Sequence, residues 1–195
     1  MSVLPLVVIV LGLSVASADT FANPAPSGEI TLEEMSLLQP QRQLGCPAPE
    51  SLNSKNTPPD LYAAIPACVR EGKFREGAFL FAMAGVYARY DTFRVDNAAA
   101  HRATELMRLQ IQLNMDEKKY EDFQAGLRKT LGAPESLAKV CKTITRHGPP
   151  SYHPDYMLKF GNAKTPGVKS GLVKEFRSKE SFEKSLVSFL RCRNP

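Results

Sequence analysis

The chain has 195 residues, of which 43% are hydrophobic, with a net charge of +5, four cysteines and no tryptophan. That length leads us to expect one domain of ordinary size around a single core. The basic surplus lies mostly between Lys159 and Arg193, where nine Lys or Arg face only Glu175, Glu180 and Glu183. It favours an acidic partner or is simply a solvated surface.

Residues 1–13 are an apolar run without Lys or Arg, followed by Ser14-Val-Ala16-Ser-Ala18. Small residues at Ala16 and Ala18 match the cleavage pattern of a secretory signal peptide. The run falls short of the about 20 residues that span a bilayer, and no Cys follows the cleavage point to carry a lipid anchor. The expectation is an exported, periplasmic chain that starts near Asp19 and has no stable membrane anchor. Export also makes nucleic acid the least natural of the acidic partners.

An oxidising compartment turns the even set Cys46, Cys68, Cys141 and Cys192 into two disulfides rather than free thiols. Metal-ligand spacings such as C-x-x-C are absent from the sequence, which argues against a zinc site. Three connectivities exist for four cysteines. Cys46–Cys68 and Cys141–Cys192 are favoured because each closes a loop within one half of the chain.

Residues 19–30 have the composition of a flexible leader ahead of a domain over 31–195. Thr31-Leu-Glu-Glu34 is a capping box that opens a short helix through Leu38. Residues 39–58 carry four prolines around Cys46 and read as an irregular segment. A helix follows over 61–71, apolar at Leu61, Ile65, Cys68 and Val69, with Pro66 set to kink it or form its first turn. After a turn at Gly72-Lys-Phe74, residues 75–90 form a helix with no charge from Ala78 to Ala88. A helix apolar on every face belongs in the middle of a bundle.

Asp96 is the expected N-cap of a helix over 97–114, with Ala99, Ala103, Leu106, Leu109 and Leu113 along one face and Gln110 interrupting it. Residues 116–131 form another helix, ended by Gly132 as its C′ residue. Residues 134–146 form the next, with Leu137, Val140, Cys141 and Ile144 inward. Pro149, Pro150, Pro154 and Pro166 with Gly161 and Gly167 make 149–171 mostly loop. Ser178 caps a last helix with Phe182, Leu186, Phe189 and Leu190 on one face. The fold class is all-α, a single globular helical bundle with long Pro-rich loops.

Ala63 together with Gly72-Lys-Phe74-x-x-Gly77-Ala78 resembles a helix–turn–helix unit of the tetratricopeptide or Sel1-like kind. Only one copy is visible, whereas a solenoid needs about three. The unit therefore reads as a helical hairpin inside a bundle.

Chemistry is sparse. His101 sits on an amphipathic helix as a structural histidine. His147, His153 and Asp155 flank a Pro-rich loop and are the only plausible zinc set, though they lack regular ligand spacing. There is no Gly-x-Ser-x-Gly elbow, no phosphate-cradling glycine loop and no free thiol. Glu33/Glu34 and Asp116/Glu117 stand in first turns of helices, where they complement the dipole. The sequence thus predicts no cofactor, no bound metal and no catalysis.

The segment 61–103, above all Ala82-Met-Ala-Gly-Val-Tyr-Ala-Arg-Tyr-Asp-Thr-Phe-Arg-Val-Asp96 with Ala100-His101, resembles small exported immunity proteins of type VI secretion effectors. The resemblance implies a periplasmic protein that binds and neutralises a toxic effector enzyme by occluding it. The competing expectations are an exported metal-dependent hydrolase using His147, His153 and Asp155, and a non-catalytic periplasmic scaffold. For a binding protein the two Pro-rich loops are the expected interface. Aromatic and Arg residues dominate such contacts, which makes Arg146, Tyr152, Tyr156 and Phe160 the expected anchors.

Overall fold

Thr31 begins the part of the chain, residues 31–193, that the structure, a computed structural model, describes. The expected cleavage after Ala18 and the leader 19–30 lie outside the described residues. At Thr31 the capping box forms as expected. Glu34 N–H donates to Thr31 Oγ1 (3.2 Å) and Thr31 N–H donates to Glu34 Oε2 (2.8 Å). The helix it starts, α1, is Leu32–Ser36, two residues shorter than predicted.

A second capping box, Thr57 with Asp60, places Pro58 and Pro59 in the first turn of α2 (Pro58–Arg70). Proline suits that turn because its missing N–H has no helical partner there. Pro66 consequently lies inside the helix, not at its start. Gly72 ends α2 with φ +70°. Its N–H reaches Val69 O while Lys73 N–H reaches Cys68 O, the paired bonds of a Schellman motif. The chain then reverses into α3 (Phe74–Arg94), so the helical hairpin seen in the sequence is present.

Every residue from Gly77 to Ala88 is buried. Helices α2, α5 (Glu117–Leu131) and α8 (Ser178–Leu190) pack against α3, which forms the axis of an all-α bundle. Contact with α8 is close at Gly85, where an added Cβ would fall on the Phe189 ring. Leu80 and Met83 are fully enclosed. Leu80→Ala is expected to cost about 2–5 kcal/mol in urea unfolding, through lost transfer energy and the cavity left behind. A cost under about 0.5 kcal/mol, typical of a surface site, would remove α3 from the core.

Several predicted boundaries shift. The stretch 97–114 divides into a 3₁₀ turn (Ala98–Arg102) and α4 (Ala103–Leu113). Asn97, not Asp96, caps it, accepting from Ala99 N–H at 2.9 Å. Asp96 instead accepts from Gly171 N–H at 2.8 Å. The buried stripe of α4 is Ala103, Leu106, Met107 and Ile111, while Leu113 faces solvent. Gln110 Nε2 donates to Met35 O (3.3 Å) and so carries α1 on α4.

Helices α5 and α6 (Pro134–His147) keep their expected spans to within a residue, except that Gly132 is right-handed at φ −82° and Leu137, expected inward, is only partly buried. Ser178 is the first residue of α8 rather than its cap, and its hydroxyl shares a hydrogen bond with the Tyr90 hydroxyl at 2.8 Å. The larger departure is α7 (Asp155–Lys164), inside the stretch expected to be mostly loop. Pro154 precedes its first turn and Pro166 follows its end, positions where proline bounds a helix without breaking it. Both expected disulfides are formed, Cys46–Cys68 and Cys141–Cys192, and among the described residues no helix is long and apolar enough to cross a membrane.

Candidate partner-binding site

Below the Pro-rich loop 148–154 lies a charge in the otherwise apolar middle of the bundle. Asp91 is 0% exposed. Its Oδ1 accepts from Arg94 Nε at 2.7 Å, and its Oδ2 accepts from the hydroxyls of Tyr152 (2.9 Å) and Tyr156 (2.7 Å). Arg94 lies over the rings of Tyr90 and Tyr152, 5.2 and 5.0 Å from their centroids, and donates to Tyr152 O at 2.9 Å.

Burial raises the Asp91 carboxyl to about 6, with Arg94 and the two tyrosine hydroxyls pulling the other way. It is therefore ionised at neutral pH. Burial together with the Asp91 charge pushes the Tyr152 and Tyr156 hydroxyls well above their ordinary range, so both stay protonated and donate. Asp91, Arg94 and the tyrosines tie α3 to α7 and to the loop before it.

That loop is also fastened to the other Pro-rich segment. Ser151 N–H donates to Ser54 O at 2.9 Å, the hydroxyls of Ser54 and Ser151 are 2.9 Å apart, and His147 Nε2 lies 3.0 Å from Pro49 O. The 39–58 segment is itself pinned twice. Cys46 bonds to Cys68, and the buried Asp60 carboxylate accepts the N–H groups of Gln41 and Arg42 at 2.8 and 2.9 Å. Where the two segments meet α7 there is a polar cleft of about 170 Å³. Arg42, Lys55 and Lys159 line it, together with His153 and Asp155, which are joined at 2.8 Å. Arg42, Lys55 and Lys159 have no carboxylate within ion-pair distance among the described residues.

The expected anchors are placed unequally. Arg146 is exposed near the end of α6. Tyr156 and Phe160 are 6% and 0% exposed, on the inner face of α7, with Tyr156 reaching the lining of the cleft. Tyr152 is half-buried and committed to Asp91 and Arg94. Residues 155–164, read as loop, are helical, and Tyr156 and Phe160 supply part of the apolar face that docks this helix. Nor are His147, His153 and Asp155 assembled as a set. His147 turns to Pro49 and stacks edge-on against Phe79, whereas His153 and Asp155 pair at the cleft.

Asp91 and Arg94 were missed by the sequence reading, although a signal existed. Asp91 and Arg94 follow the uncharged stretch 78–88 on the same core helix, with only Arg89 and Tyr90 between, and at helical spacing Asp91 falls on the face of Tyr87, Ala88 and Arg94, where a buried charge must be paired. Compared with protein-family models, curated proteins and solved structures, the chain matches none.

Proposed function

We propose that this is an exported periplasmic protein that binds a toxic effector enzyme and neutralises it by occlusion. The observation that carries the reading is the pair of Pro-rich segments locked to each other and to the body of the domain around a cleft where Arg42, Lys55 and Lys159 outnumber the carboxylates Asp60 and Asp155 and form no ion pair with them. A surface braced by a disulfide, a buried carboxylate and inter-loop hydrogen bonds loses little conformational freedom on binding, which favours affinity. The signal-like N-terminus, the two disulfides and the resemblance of 61–103 to immunity proteins point to the same class. Nanomolar inhibition needs about −12 kcal/mol, within reach of an interface of about 1,600 Å².

In this reading Arg42, Lys55 and Lys159 meet acidic side chains of the enzyme, and His153 stands at the edge of the contact. The test is co-expression with the product of the adjacent gene, directed to the periplasm. Wild-type chain is expected to restore growth, and the Arg42→Glu/Lys55→Glu/Lys159→Glu variant to lose protection while melting at nearly the wild-type temperature. All three positions are exposed, where substitutions are usually worth less than about 0.5 kcal/mol. Full protection by the triple variant would move the interface elsewhere. A neighbouring product that is harmless alone, or lethal despite the wild-type chain, would end the immunity reading.

A further inference from the structure

At a different set of residues, where the end of the chain is bonded to α6 by Cys141–Cys192, there is a groove of about 600 Å³. Its apolar lining is made of Pro134, Leu137, Ala138 and the disulfide itself. Leu137 is only partly buried, so part of a core-type side chain is left open to solvent. The rim is basic. Lys142, Arg191 and Arg193 line the groove, all three are exposed, and none lies within ion-pair distance of a carboxylate among the described residues.

Arg191 is held in the left-handed region at φ 58°, the one non-glycine described residue with positive φ. Its N–H is bonded to Val187 O at 2.9 Å, and the disulfide begins at the next residue. A side chain rarely adopts this conformation unless its surroundings enforce it. The rim at this end of the groove is thereby set by the fold.

We propose that the groove docks an amphipathic helix of a protein partner whose apolar stripe is flanked by Asp or Glu. A concave apolar floor between polar edges is the usual receptor for a helix presenting anchors at i, i+3, i+4 and i+7. The three cations supply the choice of partner: they attract flanking carboxylates and repel a basic helix. Concavity sets the groove apart from a membrane-binding face, which reaches the bilayer by protruding apolar side chains. The groove stands whether or not the partner is a toxic enzyme, and it shares no residue with the cleft between the Pro-rich segments.

The test uses the mature chain with both disulfides intact. The probe is a fluorescein-labelled designed helix of about 18 residues, long enough to be helical alone, with a Leu stripe flanked by Glu. A matched peptide carries Lys in place of Glu. Anisotropy is expected to show saturable binding of the Glu peptide, with backbone amide shifts confined to 132–145 and 190–193. Binding should fall at least about tenfold for the Lys peptide and for the Lys142→Glu/Arg193→Glu variant, which leaves the left-handed Arg191 in place. Equal binding of the two peptides, shifts elsewhere, or no binding at about 1 mM (about −4 kcal/mol) would overturn the proposal. So would sedimentation with phosphatidylglycerol vesicles that the double variant abolishes, because the groove would then serve a lipid surface. None of these results bears on protection by Arg42, Lys55 and Lys159, so the two readings fail separately.

Discussion

Asp91→Ala is expected to destabilise the protein by about 3–5 kcal/mol, the range for deleting one member of a buried ion pair. The substitution orphans Arg94 Nε and the hydroxyls of Tyr152 and Tyr156 together, since all three donate to this one carboxylate. It also opens a void between α3 and α7. Urea unfolding followed by circular dichroism measures the change. A cost near zero would mean that the three donors find other partners and that the cluster does not hold α7 in place.

Asp91→Asn separates the charge from the shape. The folded carboxyl titrates at about 6, against 3.8 for the ordinary group, because burial disfavours its charge. Between those two values the folded state holds the proton more tightly than the unfolded state. Stability from this group is therefore full below about pH 4 and is lost as pH rises toward 6. The difference amounts to about 3 kcal/mol at most. The asparagine variant lacks this titration, so wild type should lose stability relative to it across that window. Parallel melting curves from pH 4 to 7 would refute the assignment.

Removing the disulfides is the second large effect, and the two bonds should differ. Cys46–Cys68 spans 22 residues and Cys141–Cys192 spans 51. By loop-closure entropy their loss costs about 3 and about 4 kcal/mol respectively. Such values compare with the whole stability of a typical domain, about 5–15 kcal/mol. Paired Cys→Ala variants are expected to unfold at lower urea in that order, with Cys141→Ala/Cys192→Ala the weaker. That variant also frees the end of α8 from α6. An inverted order would show that the first bond acts chiefly by holding 39–58 against α2 in the native state.

The helical fold class, the hairpin, the core helix and the disulfide pairing were all legible in the chain, each for a local reason. Eleven uncharged residues from Ala78 to Ala88 can only be buried, whatever surrounds them. Thr31 and Glu34 cap their helix through atoms three residues apart. Gly72 ends α2 because the turn needs a left-handed residue there. Cysteines in one half of the chain meet most readily within that half.

What the chain could not disclose depended on where distant segments come to rest. Residues 155–164 read as loop because Pro149, Pro150, Pro154 and Pro166 bracket them, and they become helix because Tyr156, Met157 and Phe160 find a core to enter. The same packing buries Tyr156 and Phe160, leaving Tyr156 only at the edge of the cleft. Asn97 displaces Asp96 as a cap because Asp96 is engaged by Gly171, 75 residues onward. The cleft and the groove are junctions of segments remote in sequence: one joins 39–58 to α7, the other joins α6 to the chain end. No periodicity encodes such a meeting. Local spacing determines which residues turn inward along one helix, whereas the site arises from how the helices are laid against each other, and that is decided by the burial of the whole core at once.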